Sequence, residues 1–372
     1  MTKPPRPPLG LGDRLDRHLA RRYLGSFLAV LVGVCTLYAV IDFADRASAY
    51  TGPAWVSWVL RLYGNRLAKV SVLVSPAAML IAGGLTLSAL RRSSELSAAL
   101  AAGRAPGRLV LPLALVALLA GVAIYEFDDA VAVHAALRAE RIGAEHFQMW
   151  GSYRTYFAPK RWVRLDQRIL HLGDPLPGGG FRDPSIFELS DHFSLVRRID
   201  ADAMIPLGGA VWRLKMARVR TFEGNGSHER SEAELRLELP GGDRLGEVAP
   251  GQPGMLSRAE LRRQIRIREA LGLDPSEELF EYYSRVAYVL VGFAGTLLAA
   301  ALALRAGRKG HVATSLLEGL IVSGLLWGLL GVAQALSLAG RLPAWACAFA
   351  PELLGVAIGL ALLRQTNRRA AW

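Results

Sequence analysis

The sequence predicts a membrane protein of mixed α and β class. It has six transmembrane helices in a three-plus-three arrangement and an inserted domain resembling a β-jelly-roll. Three observations predict this. The chain is 52% hydrophobic over 372 residues, but the apolar residues crowd into its first third and last quarter. Arginines cluster where the apolar runs end. The middle has ordinary soluble composition and alternates apolar with polar residues between turn signals. The expected blocks are residues 1–127, 128–285 and 286–372.

A run of about 20 apolar residues, at 1.5 Å per residue, spans a hydrocarbon core. Six runs qualify, at 23–43, 67–90, 109–127, 286–304, 313–338 and 343–363. The first follows a basic tail, as a signal peptide would. It is longer than a normal h-region, however, and ends at Asp42 and Asp45 without a small-residue cleavage site, so it reads as an uncleaved helix. The second carries Lys69 near its start and Pro76 inside, which neighbouring helices can accommodate.

Charge placement orients the spans. The formal net charge is +12, from 39 Arg and 5 Lys against 32 acids. Basic residues fill the N-terminal tail, the 91–108 connection, the 305–309 connection and the C-terminal tail, all on one side of a six-span chain. The other side has Arg46, Arg61, Arg66 and Arg341 in its short connections. The positive-inside rule then makes both termini cytoplasmic and puts the inserted domain outside the inner membrane. Nucleic-acid binding is the weaker explanation of the charge, because no aromatic-plus-basic strand motif or zinc spacing is present. Cys35 and Cys347 lie inside apolar runs and read as small buried hydrophobes.

The inserted domain reads as short strands. Trp212, Leu214 and Met216 alternate with Arg213 and Lys215, and Leu235, Leu237 and Leu239 with Arg236 and Glu238. Further candidates lie at 153–158, 162–165 and 169–172. Turns are marked by Gly173-Asp174-Pro175, Gly178-Gly179-Gly180, Gly224-Asn225-Gly226 and Pro240-Gly241-Gly242. Such a pattern suits a sandwich, jelly roll or open barrel. A helix at 130–147 precedes the strands. A second, at 258–271, follows them, with Ser257 and Glu260 as a capping box and Gly272 as its stop.

The search for catalysis is negative. No lysine is followed by Ser or Thr, so there is no phosphate-binding G-x-x-x-x-G-K-[ST] loop, and neither H-E-x-x-H nor G-x-S-x-G occurs. The seven histidines have no ligand spacing. No cofactor or metal is expected, and a transport function would need a separate ATPase. The connection Ser93-Ser94-Glu95-Leu96-Ser97-Ala98-Ala99-Leu100-Ala101-Ala102-Gly103-Arg104 reads as a short helix with a Ser cap, an early Glu and a Gly stop. It suits docking into a partner's groove, with Glu95 meeting a partner arginine; lying flat on the membrane is the alternative.

Charged residues in or beside spans are functional candidates because burying them is costly. Asp42, Asp45, Arg66 and Lys69 are candidate contacts for a lipid headgroup, against boundary marking and snorkelling. Glu318 and Glu352 read as interhelix hydrogen-bonding or protonated carboxyls. Trp212, Leu214 and Met216 are candidates for acyl chains, if the sheet opens rather than forming a closed core.

Several motifs together resemble the LptF/LptG permeases of lipopolysaccharide export over nearly the full chain. Leu15-Asp16-Arg17-His18-Leu19 resembles the family's L-D-R-Y-[LI] start, and Ile41-Asp42-Phe43-Ala44-Asp45 the F-x-D end of its first helix. Ser94-Glu95-Leu96-Ser97-Ala98 through Gly103 resembles its coupling helix. Met255-Leu256-Ser257, Glu260-Leu261, Gly272-Leu273-Asp274, Glu278-Leu279 and Arg285 resemble the approach to span four. Gly340-Arg341-Leu342-Pro343 and Phe349-Ala350-Pro351 resemble the stretch before span six. The opening leans towards LptG.

The resemblance implies a pair of such permeases, one LptF-like and one LptG-like, on a dimer of an LptB-like ATPase. Lipopolysaccharide leaves the inner membrane for LptC-like and LptA-like bridge proteins. Glu95, with Leu96, Leu100, Gly103 and Arg104 around it, would meet the ATPase. Leu100 replaces a residue that is polar in many members, and the third span ends without the usual Pro. Glu352 stands for the usual Asn. Asp42 and Ser48 stand where some LptG proteins have lysines towards lipid phosphates, so those contacts are not carried over. A membrane-anchored scaffold that recruits envelope partners without moving lipid is the alternative function.

Overall fold

A computed structural model describes residues 14–149, 162–173, 175–176, 180–223, 226–240, 242, 245, 253–270, 274–305 and 312–370. The chain divides into two compact units. One joins Met1–Ala139 to Tyr283–Trp372, and the other is Glu140–Tyr282.

The first unit is helical. Its elements are α1 (Arg14–Arg46), α2 (Trp55–Arg92), α3 (Glu95–Ala101) and α4 (Pro106–Phe127), then α7 (Ser276–Arg305) from Tyr283 onward, α8 (Val312–Leu338) and α9 (Ala344–Ala370). A π-helical segment, Asp128–Ala132, continues α4 into α5 (Val133–Phe147). Five stretches among the described residues are long and apolar enough to cross a membrane: Arg14–Ala49, Trp55–Arg92, Pro106–Phe147, Ser276–Arg305 and Ala344–Arg368. The sixth expected run is helical as α8, of which Gly324–Leu338 is a shorter apolar segment.

Hydroxyls stitch the helices together where the backbone cannot. Pro76 sits inside α2 and gives no N–H to the carbonyl of Val72 four residues earlier. The Ser75 hydroxyl donates to that carbonyl at 2.8 Å, and the Tyr288 hydroxyl of α7 donates to it as well. Tyr23 of α1, fully buried, donates to the Met79 carbonyl at 3.2 Å and lies 2.8 Å from Thr296 Oγ1. One phenol thereby joins α1, α2 and α7. Gly121 lets α4 cross α7 closely, since a Cβ there would come within 2.5 Å of the Val289 carbonyl oxygen.

The second unit carries one antiparallel nine-stranded sheet: β1 (Trp162–Leu165), β2 (Arg168–His171), β3 (Pro175–Leu176), β4 (Gly180–Arg182), β5 (Ser185–Leu189), β6 (Leu195–Asp200), β7 (Ala203–Gly208), β8 (Val211–Glu223) and β9 (Gly226–Glu238). The hydrogen-bonded order is β1-β2-β5-β6-β8-β7-β4-β3, and β9 pairs with β8. Both β6 and β7 pair with β8, at Arg218–Thr221 and at Val211–Lys215 respectively. All these strands form one sheet, so the two layers of a jelly roll are not separated in it. The candidate strand at 153–158 and the Gly272 stop lie outside the described residues.

Near Lys215 the expected alternation breaks. Trp212 and Leu214 face the core and are fully buried, but Met216 has φ +52° and is 59% exposed. The left-handed residue shifts the inward phase by one, so Ala217 and Val219 follow on the core side. The single apolar face expected for Trp212, Leu214 and Met216 therefore holds for two of the three. Trp212 also donates its indole N–H to the Gly242 carbonyl at 3.1 Å. Replacing a buried aromatic by Ala costs about 3–5 kcal/mol in cavity and lost transfer energy. Trp212→Ala is expected to open this unit, seen as rapid cleavage between residues 162 and 239 when the detergent-solubilised chain is probed by pulse proteolysis in urea. Beyond the sheet, α6 (Arg258–Ala270) starts with the expected capping box. The Ser257 N–H donates to Glu260 Oε2 at 2.7 Å, and the Glu260 N–H to Ser257 Oγ at 3.3 Å. Arg268 of α6 pairs at 2.9 Å with Glu278, and both are buried.

Candidate functional site

The sharpest local construction is the turn that presents α3. The chain leaves α2 at Ser93 and reverses through Ser94, whose φ is +61°. Ser94 makes no side-chain cap bond, so the expected serine cap is absent: a left-handed residue points its hydroxyl away from the first helical N–H groups. The Gly stop is present. Gly103 has φ +82°, its N–H donates to the Leu100 carbonyl at 3.0 Å, and the Arg104 N–H donates to the Ala99 carbonyl at 3.2 Å. This pair of bonds is a Schellman motif, which requires a residue at ease with positive φ.

The seven-residue helix has two faces. Leu96 is buried in a cluster with Leu19, Tyr23, Leu87 and Leu109. Glu95, Ser97, Ala98, Leu100 and Gly103 are exposed. Of the five residues expected at a partner, Leu96 therefore faces inward and anchors the helix.

Glu95 is not a free carboxylate. Arg22 Nη1 of α1 lies 3.2 Å from both its oxygens, and His18 Nε2 lies 3.5 Å away. Hydrogen bonding from Ser93, then Arg22 with the charge of His18, holds its carboxyl below the usual glutamate range. On the other flank, buried Asp16 accepts from Arg108 Nη2 at 2.7 Å and faces Arg104 Nη1 at 3.9 Å. Two turns of α1, from Asp16 to Arg22, thus hold Glu95 at the start of α3 and Arg104 and Arg108 after its end. His18, Arg22 and Asp16 were read from sequence as tail charges and a family motif. The four-residue spacing of His18 and Arg22 puts them on one face of α1 and is the signal that they act together; Asp16, two residues before His18, lies on another face and its role is not marked by spacing.

Farther along α1 and α2 lies a second charged set. Asp42 accepts from Arg66 Nη1 at 2.7 Å, the Tyr63 hydroxyl at 2.7 Å and Arg46 Nε at 3.1 Å. Phe43, Tyr50 and Tyr63 pack around it. One turn on, Lys69 Nζ donates to Asp128 Oδ1 at 2.8 Å, and Arg285 Nε lies 3.8 Å from the other oxygen. Asp128 opens the π-helical segment, a geometry frequent at functional sites. Lys69 is thereby joined by Asp128 and Arg285, two residues whose roles the sequence did not disclose. Asp45 is exposed and has no ion pair among the described residues. Glu352 is 97% buried, and its Oε2 has no hydrogen-bond partner among the described residues; the side chain of Glu318 lies outside them. Trp212 and Leu214 are buried in the apolar cluster of the sheet, and Met216 stands outside it.

No curated protein matches the chain. Among protein families, the one described as lipopolysaccharide export system permease LptF/LptG matches residues 17–365, a span that runs from the first turn of α1, through α3 and the sheet, to the last turns of α9. The chain belongs to the LptF/LptG family of lipopolysaccharide export permeases.

Proposed function

We propose that this chain is the permease subunit of an exporter that extracts lipopolysaccharide from the inner membrane and hands it to a periplasmic bridge. The observation that carries the reading is the exposed face of α3, tied to α1 at Glu95 and, past its end, at Arg104 and Arg108, in a chain of this family. A separate LptB-like ATPase dimer docks on that face, with Glu95, Leu100 and Gly103 outermost and Leu96 and Arg104 fixing the helix beneath. Its closure pushes α3, and the helices squeeze the lipid from a lateral cavity. Both termini and α3 are cytoplasmic in this reading, and the sheet is periplasmic, continuing to LptC-like and LptA-like proteins as one element of a jelly-roll bridge.

A second, LptF-like permease completes the cavity. The outward apolar faces of α1 and α8 support this. A Cβ at Gly324, Gly328 or Gly331 would meet nothing within 4 Å, so a partner helix can approach closely there. In this reading Asp42, Asp45, Arg66 and Lys69 meet a phosphate-bearing headgroup.

The test is co-expression with a candidate ATPase and second permease, with photocrosslinking amino acids at Met216, Trp212 and Leu214. ATP-dependent crosslinks to lipopolysaccharide support the export reading. ATP-independent crosslinks to proteins alone support the scaffold reading, which the burial of Trp212 favours.

A further inference from the structure

The N-terminus of α4 is capped by the last helix of the chain. A helix start leaves its first N–H groups without intrahelical partners, and a side-chain oxygen just before it normally accepts one. Here that residue is Ala105, which has no such oxygen, and Pro106 at the first helical position has no N–H. Gly107 is the first residue with a donor to satisfy. Its N–H points to Oδ1 of Asn367, at 2.8 Å, from a residue 260 positions away on α9. The approach is close enough that a Cβ on Gly107 would come within 2.8 Å of Asn367 Nδ2.

We infer that Asn367 is a positioning residue that carries movement of the α3–α4 segment into α9. The inference rests on the export reading above. Only four residues, Ala102–Ala105, separate α3 from α4, so a push on α3 reaches the first turn of α4 directly. That turn is held on one side by Asp16 of α1 through Arg108, and on the other by Asn367 of α9. One turn before Asn367, Leu363 packs in the same apolar cluster as Leu96 and Leu109. On another face of α9, Gln365 accepts from Arg305 of α7. The end of α9 therefore links the moving element to the C-terminal helices by a directional bond, which slides less readily than an apolar contact.

The test uses the whole complex in proteoliposomes, with ATP hydrolysis and lipopolysaccharide delivered to a periplasmic acceptor measured together. Asn367→Leu keeps the volume and removes the acceptor. It is expected to leave hydrolysis within about twofold of wild type and to lower lipid delivered per ATP by about fivefold, the scale of one hydrogen bond. Asn367→Asp keeps an acceptor and is expected to retain at least half of the wild-type yield. Gly107→Ala displaces the carboxamide, and the double variant Gly107→Ala/Asn367→Leu is expected to be no worse than Asn367→Leu, because both break one contact. Wild-type yield per ATP in Asn367→Leu would overturn the inference, as would a parallel fall in hydrolysis, yield and subunit assembly. Failure of the wild-type complex to deliver lipid at all overturns the export reading itself, and shows in a separate arm.

Discussion

Glu95→Arg is expected to abolish coupling to the ATPase while leaving membrane insertion intact. The side chain is exposed, and its bonds to Arg22 and His18 are made at the surface, where water screens them. Reversing its charge should therefore change the fold of the isolated chain little. At a docking surface the balance differs. A carboxylate that meets a partner cation there is desolvated, and replacing it with a cation opposes like charges at short range. The expected loss is at least 100-fold in ATPase retained on affinity purification. Glu95→Gln, which removes the charge without reversing it, should fall between. The double variant Arg22→Glu/Glu95→Arg separates the two roles of the carboxylate. It restores an ion pair inside the chain but still presents the wrong charge to the partner, so it should remain uncoupled. Recovery of coupling in that variant would assign Glu95 to holding α1 against α3 and remove it from the docking surface.

How far the sequence discloses this site depends on what each residue interacts with. The α3 boundaries were legible because Gly103 must supply positive φ and the Ala/Leu body between Glu95 and Ala102 has strong helix propensity. The missing serine cap was not, since the left-handed turn at Ser94 is imposed by the reversal out of α2 rather than by local preference. The strands β1 and β8 follow from alternation. The phase shift at Met216 does not, because a period-two pattern carries no mark of a residue with φ +52°. The intramembrane acids were legible as costly and therefore suspect, but not as partners. Nothing in the chain order says that Lys69 meets Asp128, 59 residues on, or that Asn367 reaches Gly107. Such pairs are properties of the helix packing.

The same packing sets the second large expectation, that Asp128→Ala destabilises the helical unit by about 3 kcal/mol or more. Asp128 is buried, and it faces Lys69 at 2.8 Å and Arg285 at 3.8 Å. Removing one member of a buried ionic group leaves the others uncompensated, which costs about 3–5 kcal/mol. The two cations do not share that cost equally. Lys69 is one-third exposed and has a flexible stem that can swing its ammonium towards water or headgroups, whereas Arg285 is 8% exposed and cannot follow. The loss should therefore lie near the lower end of the range and weigh more on Arg285 than on Lys69. Thermal unfolding of the detergent-solubilised chain measures it. Asp128→Ala should lower the midpoint by several degrees, and adding Lys69→Met should recover little. Adding Arg285→Met, which removes the more deeply buried of the two cations that face Asp128, should recover more of the loss. If Lys69→Met rescues and Arg285→Met does not, the ammonium is the charge that Asp128 holds inside the helices.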